Sequence, residues 1–522
     1  MEAAELLAAV LALVAGLVWL ARRIRVPYPV LLLLGGLLLG LAPALPRFEL
    51  DPEIVFLVIL PPLLYVSAFF TRIRDFRANL KNISSLAVGL VLASALVVAA
   101  LAMAIVPGIT LPLAVALGAI VAPPDAVAAT AIAQRLAVPR RLVSILEGES
   151  LVNDATALTL YRAALAAATT LAAVSALGSI ASFTFVALGG IAVGLVAGWV
   201  MSAVRARLSD TPVAITVSLL TPYVAYLPAE AMGVSGVLAA VFAGLYVGRR
   251  ASRIMSSETR IAGRAVWEML VFLLNGVVFL AIGIEISSIA RELDRATLLE
   301  LAGVGLLVSI ALIAVRALWI FATNLPAALK QSRQALRTQI AESVVLSWAG
   351  MRGVVSLAAA LALPISIDGN ALPAREAIIV ITFTVILVTL VGQGLTLPFV
   401  IRAVGLGADA DARHEESHAR QALIEEALNR IEDLGQRWPD HRPLIDQLRT
   451  SYQHRAEHEE QLHEAPGNEA EQELVEHRQI RREVIDAQRD ALLAMRDRGA
   501  IDDDVLRDIE RELDLEEIRM EA

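Results

Sequence analysis

The sequence predicts an all-α polytopic membrane protein that carries a soluble helical tail, and three observations predict it. Hydrophobic residues make up 57% of the chain and charged residues only 19%, below the quarter or so expected of a soluble domain. Apolar segments of membrane-crossing length follow one another as far as residue 403. The short loops between them alternate in charge, as they do when helices cross and recross a bilayer.

The apolar segments fall near 4–21, 29–46, 53–70, 82–106, 111–134, 142–169, 178–204, 212–228, 232–248, 262–287, 298–325, 340–364 and 376–403, which makes thirteen. The loops check that count independently. ARRIRVP, TRIRDFRANLK, QRLAVPRR, RARLSD, GRRASRIMSSETR and LKQSRQALR are basic. The intervening PRFELDPE, PGITLP, LPAEAMG, RELDR and SIDGN are acidic, balanced or uncharged, and the sixth loop is apolar. Lys and Arg collect on the cytoplasmic side, so the N-terminus is expected outside and the C-terminus inside. A missed or spurious helix would reverse the alternation partway. MEAAELLAAV has no basic segment and no clear cleavage site, and reads as a retained first helix rather than a signal peptide.

The chain therefore divides into a membrane part, 1–403, and a charged cytoplasmic tail, 404–522. HEESHARQALIEEALNRIEDLGQRW and EHRQIRREVIDAQRDALLAMRD mix both charge signs with Leu and Ile at helical spacing. HEAPGNEAEQ breaks them apart, and RGAIDDDVLRDIERELDLEEIR adds a last helix with an Asp start signal. Regulation or dimer contact is the expected role; a solvated extension is the plainer alternative. All histidines lie here (His414, His418, His441, His454, His458, His463 and His477), without metal-site spacing. There is no cysteine, so disulfides and thiolate metal sites are excluded. No phosphate-binding glycine loop, nucleophile motif or nucleic-acid patch is present.

Ionisable residues inside a bilayer are expensive and mark function. Those far from span ends are Asp125, Glu147, Glu149, Asp154, Arg162, Glu268, Arg316 and Arg352. At about 1.5 Å per residue, Asp125, Asp154 and Arg352 lie roughly 20, 18 and 17 Å into their spans, near the midplane. Transporters place their ion sites there.

Three motifs surround those depths. In VAPPDAVAAT, Pro123 and Pro124 should break the fifth span, freeing carbonyls and leaving Asp125 at the start of a second half-helix. Irregular backbone at that depth must line a cavity or be buried in protein. A plain proline kink with Asp125 packed beside it is the alternative. In SILEGESLVNDATALTLYR, Ser150 and Asp154 share a helix face with Glu147, and Glu149 and Asn153 form the neighbouring stripe. A carboxylate there can hold a dehydrated cation or a proton, since burial favours its neutral form; a hydrogen-bonded helix-packing network is the alternative. In SWAGMRGVVSLAAALALP, Gly350 and Gly353 flank Arg352 in a second expected unwinding. A buried arginine needs a carboxylate: Glu149 is the best match by depth, with Asp125 and Glu147 as alternatives, and a structural role suits Arg352 better than a ligand role. Broken spans seven apart would insert with opposite orientation, which is an inverted repeat.

These motifs resemble the monovalent cation/proton antiporter 1 family of NhaP-like and NHE-like exchangers. GESLVNDATALTLYR looks like its asparagine–aspartate helix, VAPPDAVAAT like its unwound fifth helix and SWAGMRGVVSLAAALALP like its arginine helix. LVFLLNGVVFLAIGIEI, VGQGLTLPFVI and the tail are similar to bacterial members. The resemblance implies that Asp154 alternately binds cation and proton, that Asn153 is the companion amide of electroneutral exchange, and that Ser150 and Asp125 lie near the ion. It implies a structural Glu149–Arg352 ion pair, a homodimer with one bundle moving against a dimerisation domain, and residence in the bacterial inner membrane. Two departures bear on cation choice. Pro124-Asp125-Ala126 stands where many members have Thr-Asp-Pro, and Val66 stands where many have an acid.

The expected activity is exchange of Na⁺ (with Li⁺ or K⁺ as other cargo) for H⁺ across the lipid bilayer, with no cofactor and no nucleic-acid partner. K⁺/H⁺ exchange by the same residues is the near alternative. An intramembrane aspartyl protease, using two midplane aspartates that share a proton, is the distant one, and a cation channel fits a buried carboxylate on a broken helix less well.

Overall fold

A computed structural model describes the 522-residue chain apart from residues 1–2, 25, 42–51, 137, 170–175, 329–331, 365, 368–369, 373, 407–409, 465–467, 499, 501 and 522. Most of the acidic second loop, most of the apolar sixth loop and part of the tail break HEAPGNEAEQ lie outside the described residues. The chain forms two compact units, Met1–Ala408 and Asp409–Ala522.

The first unit is helical throughout, apart from a two-residue antiparallel ladder pairing Ser366 with Ala371 and Ile367 with Asn370. Its helices are α1 (Ala3–Ile24), α2 (Tyr28–Gly40), α3 (Val55–Phe70), α4 (Leu80–Ile105), α5 (Leu111–Val121) and α6 (Ala126–Arg135). They continue with α7 (Arg140–Thr169), α8 (Ala176–Arg205), α9 (Thr211–Ala231), α10 (Gly236–Ile254), α11 (Ser257–Glu292) and α12 (Arg295–Ala328). α13 (Arg333–Trp348), α14 (Val354–Leu361) and α15 (Arg375–Val404) follow, and a short helix, Ile73–Ala78, precedes α4. Several begin on a side-chain cap. Asp210, Ser235, Ser256 and Ser332 accept from the N–H groups of Val213, Leu238, Thr259 and Ala335, satisfying donors that a helix start leaves open.

Seven helices among the described residues are long and apolar enough to cross a membrane: Leu80–Ile105, Leu111–Arg135, Thr184–Arg205, Thr211–Ala231, Ser257–Arg291, Arg295–Pro326 and Arg375–Val404. Tyr28–Gly40 and Val55–Phe70 are apolar but shorter. α7 falls outside that group because Glu147, Glu149, Asp154 and Arg162 dilute its hydropathy, and α13 and α14 because they are interrupted. Leu96, Leu188, Trp199, Ile310 and Leu318 stand more than half exposed, as a lipid-facing surface requires.

Packing is tightest where glycines face backbone. At the α2–α11 crossing a side chain on Gly36 would strike the Leu280 carbonyl, and one on Gly283 would strike that of Leu33. Small residues let membrane helices approach this closely. Two π-helical turns, Val55–Ile59 in α3 and Val388–Gln393 in α15, also lie beside the site described below.

The second unit contains α16 (Ala410–Arg437), α17 (Arg442–Glu464), α18 (Asn468–Asp497) and α19 (Asp503–Glu521). Ile424, Ile431 and Ile445 are buried, as are Ile485, Leu492, Leu506 and Leu513. Arg449 bridges to Glu432 at 2.8 Å and Arg489 to Glu517 at 2.7 Å. α16 ends at Arg437 because Pro439 cannot continue it, so the tail before HEAPGNEAEQ forms two helices.

Candidate ion site at the crossing of two broken helices

Two interruptions meet in the first unit. α5 ends at Val121, and the chain is non-helical through Pro123 and Pro124 until Asp125 caps α6, accepting from the Val127 N–H at 2.8 Å. α13 ends at Trp348, and α14 begins only at Val354. The segments cross: the Asp125 N–H donates to the Met351 carbonyl at 2.6 Å, and the Asp125 carboxylate lies against Gly353 at the start of α14. One aspartate thus caps α6 and lies beside the start of α14, where a negative charge suits the dipole. Gly353 makes the approach possible, since a Cβ there would overlap the Asp125 carboxylate.

α7 runs past this crossing. Asn153, fully buried, donates from Nδ2 to the Pro124 carbonyl at 2.8 Å and leaves Oδ1 without a partner. Asp154 is 8% exposed. Among the described residues no donor hydrogen-bonds its carboxylate. Asp125, Ser150 and Asp154 line one cavity of about 70 Å³, together with Ser67, Asn275 and Ser356. That is room for several waters. A buried carboxylate without a protein donor, facing oxygen-bearing side chains across a wettable space, can take a proton or a dehydrated cation in turn.

Of the other predicted residues, Pro123 and Gly353 line the cavity as well, and the structure separates the rest from it. Asn153 braces the broken segment instead of lining the space. Glu147 lies within electrostatic reach of Arg72, away from the site. Arg162 bridges to Glu230 at 2.9 Å, and Glu230 also accepts from the Gly236 N–H. Glu268 pairs with Arg264 at 2.7 Å on an exposed face and is not in the protein interior.

The expected Glu149–Arg352 ion pair is corrected. Glu149 is held by Arg316, whose Nη1 and Nη2 grip both carboxylate oxygens, the second at 2.7 Å, while Nε donates to the Leu346 carbonyl. Both side chains are 1% exposed. Arg352 donates from Nε to the Val121 carbonyl at 3.0 Å and from Nη1 to that of Gly350, so it binds carbonyls freed by both breaks. Its backbone N–H is held by Thr389 in the π-helical turn of α15. The fork geometry of Arg316 suits a two-oxygen grip that Arg352, spent on carbonyls, does not make.

Ranking by the depth of ionisable residues missed Asn275, Ser67 and Ser356, which are uncharged. Asn275 Nδ2 has no protein partner, and the Tyr28 hydroxyl lies beside its side chain. Val66 packs against Tyr65 and Trp267, so at that turn Ser67 is the residue that lines the cavity.

A membrane-embedded helical bundle with two interrupted helices crossing beside buried carboxylates is the construction of a secondary active transporter. The chain belongs to the sodium/hydrogen exchanger family, whose transmembrane model matches residues 9–403. It is 35% identical to an uncharacterised Na⁺/H⁺ exchanger of Mycobacterium tuberculosis, over 99% of this chain and 95% of that protein. It is 34% identical to the Na⁺/H⁺ antiporter ApNhaP of Aphanothece halophytica, over 77% and 75% of the two chains. The fold is shared with the sodium proton antiporter MjNhaP1 from Methanocaldococcus jannaschii, with TM-score 0.63 and 22% identity over 78% of this chain and 99% of that one. The protein is therefore a cation/proton exchanger, a transporter and not an enzyme. That membership removes the intramembrane protease reading of the two aspartates.

Proposed function

We propose that the protein exchanges Na⁺ for H⁺ one for one, by alternating access, with cation and proton competing for Asp154. The observation that carries this reading is the single cavity shared by Asp154, Asp125 and Ser150 at the crossing. A proton bound to an Asp154 oxygen neutralises the carboxylate and removes the cation's main ligand. Release of that proton restores it. Ser150 and Asp125 supply further oxygens, and Asn153 holds the Pro124 carbonyl that shapes the site. Thirteen spans in inverted repeats, with the N-terminus outside, complete the reading. It extends to a homodimer in the bacterial inner membrane and a cytoplasmic 404–522 segment that regulates or stabilises the dimer. The transported ions are the only non-protein groups it needs.

K⁺/H⁺ exchange by the same residues is a second reading. A Bacillus subtilis relative, 31% identical over 79% of this chain, is named a sodium, potassium, lithium and rubidium/H⁺ antiporter. The wall at Val66 and Ser67 offers no additional carboxylate to favour a small cation. Cation-induced proton movement in proteoliposomes, measured with Na⁺, Li⁺ and K⁺ at several pH values, tests both. Na⁺ and Li⁺ responses without a K⁺ response support the first reading. A K⁺ response as large as that to Na⁺ supports the second, and no response to any of the three contradicts both.

A further inference from the structure

A second and larger cavity, of about 240 Å³, opens between α1, α2, α6 and α15, and its charge is the opposite of what a cation path needs. Arg22, Arg135 and Arg402 converge on it from the last turns of three helices. Tyr28 also lines it, and the remaining wall is apolar, with Val18, Ile132, Leu136 and Pro398 in it. No acidic side chain is among the described residues that line it.

Each arginine alone is explained by a helix C-terminus, which favours a cation. Convergence is not explained that way. Like charges gathered around one space repel, and an anion between them reverses the sign of that interaction. Arg23, on the same turn of α1, shows the contrast: its guanidinium lies 5.5 Å from the Trp19 ring centroid, outside the cavity.

We propose that this cavity is an anion site for a phosphate group. Guanidinium forks match phosphate oxygens two at a time. The space is below the roughly 300–1,000 Å³ that drug-sized ligands occupy, so it suits a headgroup-sized phosphate ester or free phosphate rather than a nucleotide. The apolar wall fits the glycerol and first methylenes of an anionic phospholipid, and basic pockets between membrane helices take such headgroups. A phosphate held by Arg22 of α1 together with Arg402 of α15 ties the first helix of the unit to its last. The site is independent of which cation is transported.

The test uses the full-length protein, stripped of lipid in detergent and titrated separately with phosphatidylglycerol, phosphatidylcholine and inorganic phosphate. The readouts are the thermal unfolding midpoint and retained lipid by native mass spectrometry. Phosphatidylglycerol, but not phosphatidylcholine, is expected to raise the wild-type midpoint. Losing two charge-assisted donors should raise the required concentration about tenfold or more in Arg22→Gln/Arg402→Gln, and Arg23→Gln should match wild type. A response to phosphatidylglycerol alone assigns the lipid as the source; a response to inorganic phosphate that the double substitution weakens assigns the free anion. If the double variant unfolds without ligand, Arg402→Gln alone takes its place. The proposal is overturned if the substituted protein titrates like wild type, if no anion shifts the wild-type midpoint, or if Arg23→Gln weakens the response equally.

Discussion

Arg316 and Arg352 are both buried, but they face different partners, and the difference sets what each substitution should do. Arg316 neutralises Glu149 through two contacts in an interior closed to water. Removing either partner leaves a buried charge alone, which costs on the order of 3–5 kcal/mol. Glu149→Gln and Arg316→Gln should therefore each lower the unfolding midpoint sharply in detergent. The double variant should be less damaged than the sum of the two, giving a large coupling energy. The same cycle between Glu149 and Arg352 should show weaker coupling; equal coupling would restore the pairing that depth in the sequence suggested. Asn153→Ala should strand the Pro124 carbonyl at a cost of about 1–3 kcal/mol, and thermal unfolding measures it directly. Asp125 and Asp154 were legible in the sequence because a carboxylate inside an apolar run carries an evident cost, and Ser150 because it shares a helix face with Asp154. Asn275 and Ser67 were not, since neutral polar residues cost little in a helix and only tertiary packing turns them toward the cavity. Glu149's partner was not legible because two arginines at comparable depth lie in different helices, and only the fold decides which one reaches it.

Among the elements, the two interruptions depend on each other. Gly353 has no room for a methyl group beside Asp125, so Gly353→Ala should push the crossing apart at an overpacking cost of about 1–3 kcal/mol. Exchange should fall further than stability does, because the displaced group is one that lines the cavity; proteoliposome rates set beside unfolding midpoints separate the two. Gly303, which has open space around it, is the control, and Gly303→Ala should leave rates near wild type. The break in VAPPDAVAAT could be read in advance, since two prolines cannot sit inside an uninterrupted helix. The break at 349–353 was suggested by Gly350 and Gly353. What the sequence does not carry is that the two breaks touch, a contact between residues more than two hundred positions apart. The π-helical turns at Val55–Ile59 and Val388–Gln393 have no sequence signal in either segment.

At the scale of the molecule, the proposed competition for one carboxylate would couple pH to cation affinity. If each proton bound at Asp154 excludes one cation, as proposed, the cation concentration giving half-maximal exchange should rise as pH falls, with the maximal rate nearly unchanged. Rates measured over a matrix of Na⁺ and pH check this, and a pH-independent half-maximal concentration would point to separate cation and proton sites. Helical class and tail composition were evident from hydropathy and charge. Counting spans is harder, because α7, α13 and α14 sacrifice length or hydropathy to hold the site, and seven helices meet the strict membrane criteria among the described residues. The most direct test of the central claim compares wild type and Asp154→Asn, reconstituted side by side, for Na⁺-driven proton movement. The account predicts that the asparagine variant folds, binds lipid and exchanges nothing. Exchange at the wild-type rate would show that Asp154 is structural and would move the search to Asp125.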